Sequence, residues 1–402
     1  MTNIYQQIHG RAEELSTATA GDLSELVQTP SFSTKEQAVA ELIRQKMISA
    51  GFDDARIDGL GNVIGRVGSG GRTIAFDAHI DTVYPGEKEN WDRDPFSGQI
   101  VDGCVHGRGT VDQKGGMASM IAAGKIIKEL ELARDVTVLF TGTVMEEDCD
   151  GLCWDYLIKK EQVRPDLVVI TEPTNLNIYR GQRGRMEMAV KIRGTSCHGS
   201  APERGDNAIY KMSRIALEIE KLNEKLPTDS FLGKGTVAVS EFKSSSPSQC
   251  AVADYAEIYL DRRLTLSETR ESAIDEVLAA SAQAGYPKAI VEIPQYKETA
   301  YTGLRHPMEK YYPTWTLDAE SPWLRVAQKT YLDLFQKNPL IDKWTFSTNG
   351  VAIAGIHGIP CIGMGPGNEI LAHAPNEFCK IDDLVSASAF YAAVIAHIGG
   401  SH

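Results

Sequence analysis

The sequence predicts an α/β protein in which one larger domain is interrupted by a smaller α+β domain. Its 402 residues, at about 150 per domain, correspond to two or three domains. Apolar, β-branched runs alternate with helical patterns in the first part of the chain and again after about residue 301, as in a sheet covered by helices. Between them the order changes to strands followed by helices. We therefore assign residues 1–182 and 298–402 to the larger domain and 183–297 to the inserted one.

The elements of each domain follow from hydrophobic periodicity. In the larger domain we predict helices near 36–50, 114–130, 322–336 and 382–397, and strands at Thr73–Phe76, Asp135–Val144, Asp166–Ile170 and Pro360–Gly363. In the inserted domain we predict strands at Met186–Ile192, Gly235–Phe242 and Ala256–Arg262, and helices near 207–224 and 268–284. The helix near 114–130 has a broad apolar face, so we expect it to pack on the sheet.

Composition and charge exclude several classes of protein. The formal net charge of −13 repels phosphate backbones and anionic lipids, so neither nucleic acid nor a membrane is an expected partner. No apolar run approaches the roughly 18 residues of a membrane span, and the first residues lack a secretion signal, so we expect a cytoplasmic protein. The seven cysteines are scattered and include no C-x-x-C pair, which predicts neither a disulfide framework nor a cysteine-based zinc site.

Five separate segments place a histidine or an acid at or just beyond the end of a predicted strand or before a helix. These segments contain His79 with Asp81, Asp112, Glu146 with Glu147, Glu172, and His373. Ligands bind at the carboxyl ends of strands in open α/β sheets. Side chains two apart on an extended segment share a face, so the Asp81 carboxylate can hold the free ring N–H of a metal-bound His79.

Each segment also has a simpler interpretation. Asp112, before a helix, can be an N-cap residue, and its glycine-rich turn lacks the Walker spacing of a phosphate-binding loop. Adjacent acids such as Glu146 and Glu147 are usually solvated, but at the end of a buried strand they are costly without a cation. Two histidines and three carboxylates together suit two divalent ions that share a bridging carboxylate.

In order and spacing these motifs resemble the di-zinc amidohydrolase and exopeptidase family of acetylornithine deacetylase, succinyl-diaminopimelate desuccinylase, aminoacylase and carboxypeptidase G. The resemblance continues in the inserted domain, where the segment from His198 to Ala208 is similar to the family's H-x-x-x-P-x-x-G-x-N-A signature. It therefore covers most of the chain. It implies a three-layer, mixed-sheet catalytic domain of the zinc-exopeptidase type and an inserted lid and dimerisation domain. The pattern of Arg183-Gly184-Arg185, Thr348-Asn349-Gly350 and Cys250 resembles a branch of this family called selenium-metabolism-linked hydrolases.

The resemblance also implies roles for individual residues. His79 and Glu172 would complete one metal site, Glu147 and His373 the other, and Asp112 would bridge them. Glu146 would be the general base and Asp81 would orient His79. The metals are expected to be zinc, with cobalt or manganese as alternatives.

Two further positions are implied in substrate binding and one in catalysis. In dimeric members the residue matching His198 reaches the partner's active site and stabilises the oxyanion. Arg263 would grip a substrate carboxylate, and Asn349 stands at a position where relatives contact substrate.

The expected protein is thus a homodimeric hydrolase acting on a small amide with a free carboxylate. An N-acyl amino acid is slightly favoured over a dipeptide, because nothing in the sequence indicates a site for a free α-amino group. A dipeptidase or carboxypeptidase, and a non-catalytic binding protein on the same fold, are the alternatives.

Overall fold

The computed structural model describes residues 4–400. Its nine α-helices within that range are α1 Ile4–Glu14, α2 Ser16–Val27, α3 Gln37–Ser49, α4 Lys114–Glu129, α5 Leu152–Lys159, α6 Ala208–Lys225, α7 Arg270–Gln283, α8 Pro322–Phe335 and α9 Ile381–Ile398. The first eleven strands are β1 Asp54–Ile57, β2 Val63–Val67, β3 Arg72–His79, β4 Ile100–Val101, β5 Cys104–His106, β6 Val136–Thr143, β7 Leu167–Ile170, β8 Ile178–Gln182, β9 Gly184–Arg193, β10 Thr228–Asp229 and β11 Gly233–Lys234. The remaining ten are β12 Thr236–Ser245, β13 Tyr255–Leu264, β14 Ile290–Glu292, β15 Gln295–Tyr296, β16 Met308–Glu309, β17 Tyr311–Tyr312, β18 Trp315–Thr316, β19 Ile341–Trp344, β20 Cys361–Gly363 and β21 Phe378–Lys380.

The largest sheet has nine strands in the order β1-β2-β6-β3-β7-β20-β8-β18, with β19 also paired to β8. Its centre is parallel: β3 pairs with both β6 and β7, and β7 pairs with β20. β7 and β20 are buried along their whole length, and β3 and β6 are buried over their carboxyl-terminal halves, as expected for parallel strands covered on both faces. Their carboxyl ends therefore lie at one edge of the sheet.

Helices α4 and α9 pack on each other and on β6 in the core beside this sheet. Helix α9 is the one helix among the described residues that is long and apolar enough to cross a membrane, but 67% of it is buried inside the protein. Its apolar character is therefore explained by its place in the core.

A second sheet of five strands runs in the order β12-β13-β9-β14, with β17 also paired to β9. Alternate residues of β13 are buried, so one face of this sheet carries a core while the other is more open. The buried apolar residues of β9, α6, β13 and α7 form a cluster of their own, separate from the large core. Within this path β12 is an edge strand.

The predicted fold class, an α/β protein with mixed sheets, is confirmed, and every predicted helix and strand has a counterpart within a few residues. Helices α1 and α2 are additions that the sequence interpretation missed. Their polar faces dilute the periodic signal, yet Ile8, Leu23 and Leu26 are fully buried against the core. Residues 1–3 and 401–402 of the predicted larger domain lie outside the described residues.

Candidate metal centre

The candidate residues converge on the carboxyl edge of the four central parallel strands. His79 is the last residue of β3, Glu146 and Glu147 follow β6, and Glu172 follows β7. His373 lies in the loop that follows β20, and Asp112 lies just before α4. The strand order β6-β3-β7-β20 therefore brings together residues that are up to 294 positions apart, as 79 and 373 are.

Two groups of possible ligands share the Asp112 carboxylate. His79, Asp112 and Glu172 form one group and Asp112, Glu147 and His373 the other, with ligand atoms within 4.8 Å of one another in each. The two oxygens of Asp112 face different histidines: Oδ1 lies 2.8 Å from His79 Nε2 and Oδ2 lies 3.2 Å from His373 Nε2. His373 Nε2 is also 3.0 Å from Glu147 Oε2. A carboxylate with one oxygen in each group has the geometry of a bridging ligand.

The charges in this cluster fit bound cations. Burial raises the pKa of Glu147 to about 7, and the nearby Asp112 carboxylate adds to the increase. Burial also raises the pKa of Glu172 well above its ordinary value, and one of its oxygens, Oε2, is buried without a hydrogen-bond partner. Hydrogen bonds to Asp112 and Glu147 raise the pKa of His373 to about 10. Carboxylates this crowded are destabilised unless a cation compensates them, and carboxylate with imidazole is a donor set suited to zinc and related ions.

Glu146 differs from the candidate metal ligands around it. Its side chain lines the same cleft and is 5% exposed, and its Oε1 has no hydrogen-bond partner. Burial raises the pKa of Glu146 well above its ordinary value, although the neighbouring His79 acts in the opposite direction. A carboxylate with a raised pKa and a free oxygen beside a metal centre is suited to proton transfer.

The structure changes the interpretation of Asp81. The ring nitrogen His79 Nδ1 lies 2.8 Å from the backbone carbonyl oxygen of Asp81, whereas the nearest carboxylate oxygen is 3.6 Å away. The carboxylate instead accepts the backbone N–H groups of Glu146 at 3.2 Å and Glu147 at 3.1 Å, and the Ser33 hydroxyl at 2.7 Å. Asp81 therefore contacts His79 mainly through its backbone, and its side chain holds the segment that carries the two glutamates.

Glu377 is a site residue that the sequence interpretation missed. Its fully buried carboxylate accepts Arg108 Nη1 at 2.6 Å and the backbone N–H groups of Val111 at 2.7 Å and Asp112 at 3.1 Å. Arg108 also donates to the backbone oxygen of His373 at 3.1 Å. One buried ion pair thus fixes the backbone of two predicted metal ligands. The sequence feature that could have indicated Glu377 is the pair Asn376-Glu377, three and four residues after His373.

The centre opens into a cleft of about 320 Å³ lined by six carboxylates, two arginines and one histidine. Arg263 lies on its wall and is held by Asp261 through contacts of 2.7 and 3.0 Å. His198 is exposed on a loop and is not among the residues that line this cleft.

Asn349 does not have the substrate-facing position expected from the sequence. It is 1% exposed, and its amide is fully engaged within the protein: Nδ2 donates to Asp77 at 2.8 Å and Oδ1 accepts the Gly151 N–H at 3.0 Å. The sequence interpretation failed here because a polar residue near a site can bind substrate or hold backbone, and spacing does not distinguish the two.

Comparisons with known proteins agree with this geometry. Residues 75–397 match Peptidase family M20/M25/M40, and the chain belongs to that family. The chain is 50% identical over 390 residues to the protein YgeY of Escherichia coli K12, covering 97% of this chain and 96% of YgeY, a protein described as uncharacterized. It is 31% identical over 238 residues to succinyl-diaminopimelate desuccinylase of Cereibacter sphaeroides, covering 56% of this chain and 62% of that enzyme.

Among solved structures, the YXEP protein of Bacillus subtilis, described as a dinuclear metal-binding peptidase of the M20 family, matches with a TM-score of 0.70. It is 16% identical and covers 97% of this chain and 100% of its own, a likeness that shows the fold. The predicted family and the predicted enzyme class are confirmed: the protein is a metal-dependent hydrolase of the M20 family.

Proposed function

We propose that the protein hydrolyses the amide bond of an N-acyl amino acid or a dipeptide that carries a free carboxylate, with two divalent ions and with Glu146 as the general base. The observation that carries the proposal is the pair of ligand groups sharing Asp112, with the unpartnered carboxylate oxygen of Glu146 in the same cleft. His79, Glu172, Glu147 and His373 would complete the two sites, and zinc is the ion we expect.

When bound, the two ions supply Lewis-acid chemistry, which polarises a carbonyl and acidifies a water molecule. Glu146 takes a proton from the attacking water and later delivers it to the leaving amine nitrogen. A carboxylate can perform both transfers because its unpartnered oxygen can accept a proton in the first step and release it in the second. The Asp81 side chain keeps Glu146 in place through the backbone N–H that it accepts.

Arg263 is our candidate for binding the substrate carboxylate, because a guanidinium on the cleft wall can pair with it through two hydrogen bonds. One observation favours the dipeptide alternative. Asp150 and Glu369 add two acidic groups to the cleft beyond the proposed ligands and base, and such groups suit a free ammonium group. A matched set of N-acetyl, N-succinyl, N-carbamoyl and dipeptide substrates separates the two classes.

We further propose that residues 183–297 form a lid and dimerisation domain and that the second subunit is another copy of this chain. Support comes from the separate core of this region and from its edge strand β12, where Val239 and Phe242 are 38% and 43% exposed beside Leu217 of α6 at 57%. An edge strand with apolar side chains is a natural surface for pairing with a second copy. We place the enzyme in the cytoplasm.

The exposed position of His198 outside its own cleft is compatible with a role in the active site of the other subunit. We expect His198→Ala to lower turnover with both metals retained. Mixing it with Glu146→Ala should give hybrid dimers with one working site and recover part of the activity. Absence of recovery in verified hybrid dimers contradicts the role in trans.

The first test of the proposed function is metal content measured together with the substrate set. We expect two ions per chain, loss of turnover on chelation, and recovery with zinc, cobalt or manganese. Glu146→Gln should retain both ions and lose turnover, whereas Glu309→Gln, on the surface, should behave as wild type. Turnover by fully metal-free protein contradicts the proposal.

A further inference from the structure

The loop Val144–Gly151, which carries Glu146 and Glu147, is held at both ends by buried asparagines from distant parts of the chain. At its start, the Val144 N–H donates to Asn62 Oδ1 at 3.1 Å across 82 positions of sequence. At its end, the Gly151 N–H donates to Asn349 Oδ1 at 3.0 Å across 198 positions. The two contacts have the same chemistry and fix opposite ends of one catalytic segment.

An aspartate orients each asparagine. Asn62 Nδ2 donates to Asp58 Oδ2 at 2.8 Å, and Asn349 Nδ2 donates to Asp77 Oδ2 at 2.8 Å. An ionised carboxylate only accepts hydrogen bonds, so it selects the amide orientation in which the NH₂ group faces it and the carbonyl oxygen faces the loop. All four side chains belong to residues no more than 7% exposed, so water has little access to replace these contacts.

We propose that Asp58 with Asn62, and Asp77 with Asn349, are two positioning clamps that hold the Glu146–Glu147 segment in register with the metal centre. The inference rests on the proposed function of Glu146 and adds to it four residues that lie outside the cleft wall. A displacement of about 1 Å in a reacting group can cost about 100-fold in rate. The clamps therefore act on turnover through the loop, without contacting substrate.

The geometry predicts how these pairs respond to an exchange of side chains. Asn349→Asp removes the amide donor from this contact of 2.8 Å and leaves two carboxyl groups, which repel each other unless they take up a proton. In the double exchange with Asp77→Asn, the amide at position 77 donates to the carboxylate at position 349, which still accepts the Gly151 N–H. The oxygen of Asp77 that accepts the Thr141 hydroxyl at 2.7 Å also keeps an equivalent in the amide. The single change is therefore disruptive and the exchange is compatible with the site.

The same exchange applies at the other end of the loop. In Asn62→Asp, the new carboxyl group faces the Asp58 carboxylate. Adding Asp58→Asn restores an amide donor between positions 58 and 62. Asp58 Oδ1 accepts the backbone N–H groups of Leu60, Gly61 and Asn62 at 2.8 to 2.9 Å, and an amide oxygen retains that acceptor. Asn177→Asp is the matched control, because Asn177 also accepts a backbone N–H, that of Leu340 at 3.2 Å, and its amide faces carbonyl oxygens.

The experiment measures kcat, KM and metal content of the metal-loaded full-length variants. We expect Asn349→Asp and Asn62→Asp, each assayed at saturating metal, to lower kcat by about 100-fold with KM nearly unchanged. The two double exchanges should return kcat to within about tenfold of wild type. Asn177→Asp should leave kcat unchanged. If a single variant does not fold, the test is whether the corresponding double exchange folds and has a kcat within about tenfold of wild type.

Hydrogen exchange of the peptide covering residues 144–151 gives a second measurement that needs no substrate. Both single variants should exchange faster in this peptide, and the double exchanges should restore protection. Normal protection and normal kcat in the single variants overturn the clamps, as does failure of the double exchanges to restore either quantity. Wild type that binds two metals but turns over no substrate contradicts the proposed function. If the hydrogen-exchange differences among the variants are nevertheless as expected, the clamps stand.

Discussion

The buried pair of Glu377 and Arg108 gives the sharpest test of how the metal centre is supported. Glu377→Gln keeps the shape of the side chain and removes its charge. The carboxylate accepts four donors, from Arg108 and from the backbone of Gly109, Val111 and Asp112, at 2.6 to 3.1 Å. An amide has only one acceptor oxygen, so two of these donors lose their partner in either orientation of the side chain.

The expected loss is large because the arginine remains buried. Arg108 is 2% exposed and Glu377 is fully buried, and removing one member of such a pair costs about 3–5 kcal/mol. Most of that cost is an uncompensated guanidinium in the interior, with a further part from the unpartnered backbone N–H groups. The same change should weaken metal binding, because the backbones of Asp112 and His373 are both held by this pair.

Urea unfolding followed by tryptophan fluorescence, together with metal content after dialysis, measures both effects. Glu309→Gln is the matched control, since Glu309 pairs with Arg270 at 2.8 Å and both side chains are more than a third exposed. A surface pair of this kind contributes about 0–1 kcal/mol. Equal losses of unfolding free energy in the two variants, with two ions retained in both, would refute the reasoning.

Two further predictions concern pH. Hydrogen bonds from His306, Lys159 and His357 outweigh the effect of burial and lower the pKa of Asp155, so its contribution to stability is present above the ordinary carboxyl pKa and is lost as the pH falls below it. Asp155→Asn should therefore lower the unfolding free energy by about 2 kcal/mol at pH 7 and by progressively less below about pH 4. Thermal denaturation of both proteins as a function of pH measures this. A difference between wild type and variant that stays constant with pH contradicts the prediction. Burial raises the pKa of Glu36 to about 8. The unfolding free energy of wild type should therefore fall relative to that of Glu36→Gln as the pH rises from about 5 to 9. Parallel plots of unfolding free energy against pH for the two proteins would exclude a raised pKa of Glu36.

Much of the candidate site was predictable because its histidines and acids stand directly at the ends of apolar strand patterns, which can be recognised locally in the sequence. His79 ends a buried apolar run and Glu172 follows another, and the parallel pairing of β3 with β7 then brings both to one edge. The hydrophobic pattern of the sequence identified the ends of the strands. The family resemblance added the proposed division of these ligands between two metal sites, which spacing alone left open.

The supporting residues could not be predicted in the same way. Asn62, Glu377 and Asn349 act by accepting backbone N–H groups from segments 82 to 268 positions away. A backbone N–H carries no sequence signal, because every residue except proline has one. Only the folded chain shows which of them a given side chain meets, and so a buried amide such as Asn349 looks like a substrate contact in the sequence.

The sequence by itself determined the fold class and the family and indicated the candidate ligands, because hydrophobic period and short motifs encode strand ends and the side chains placed there. Tertiary structure decided which acids share an edge, how the Asp112 oxygens divide between two histidines, and that the Asp81 carboxylate holds the glutamate loop. Those features depend on distances of a few ångströms between residues far apart in the chain, and such distances are set by the packing of the sheet and its loops.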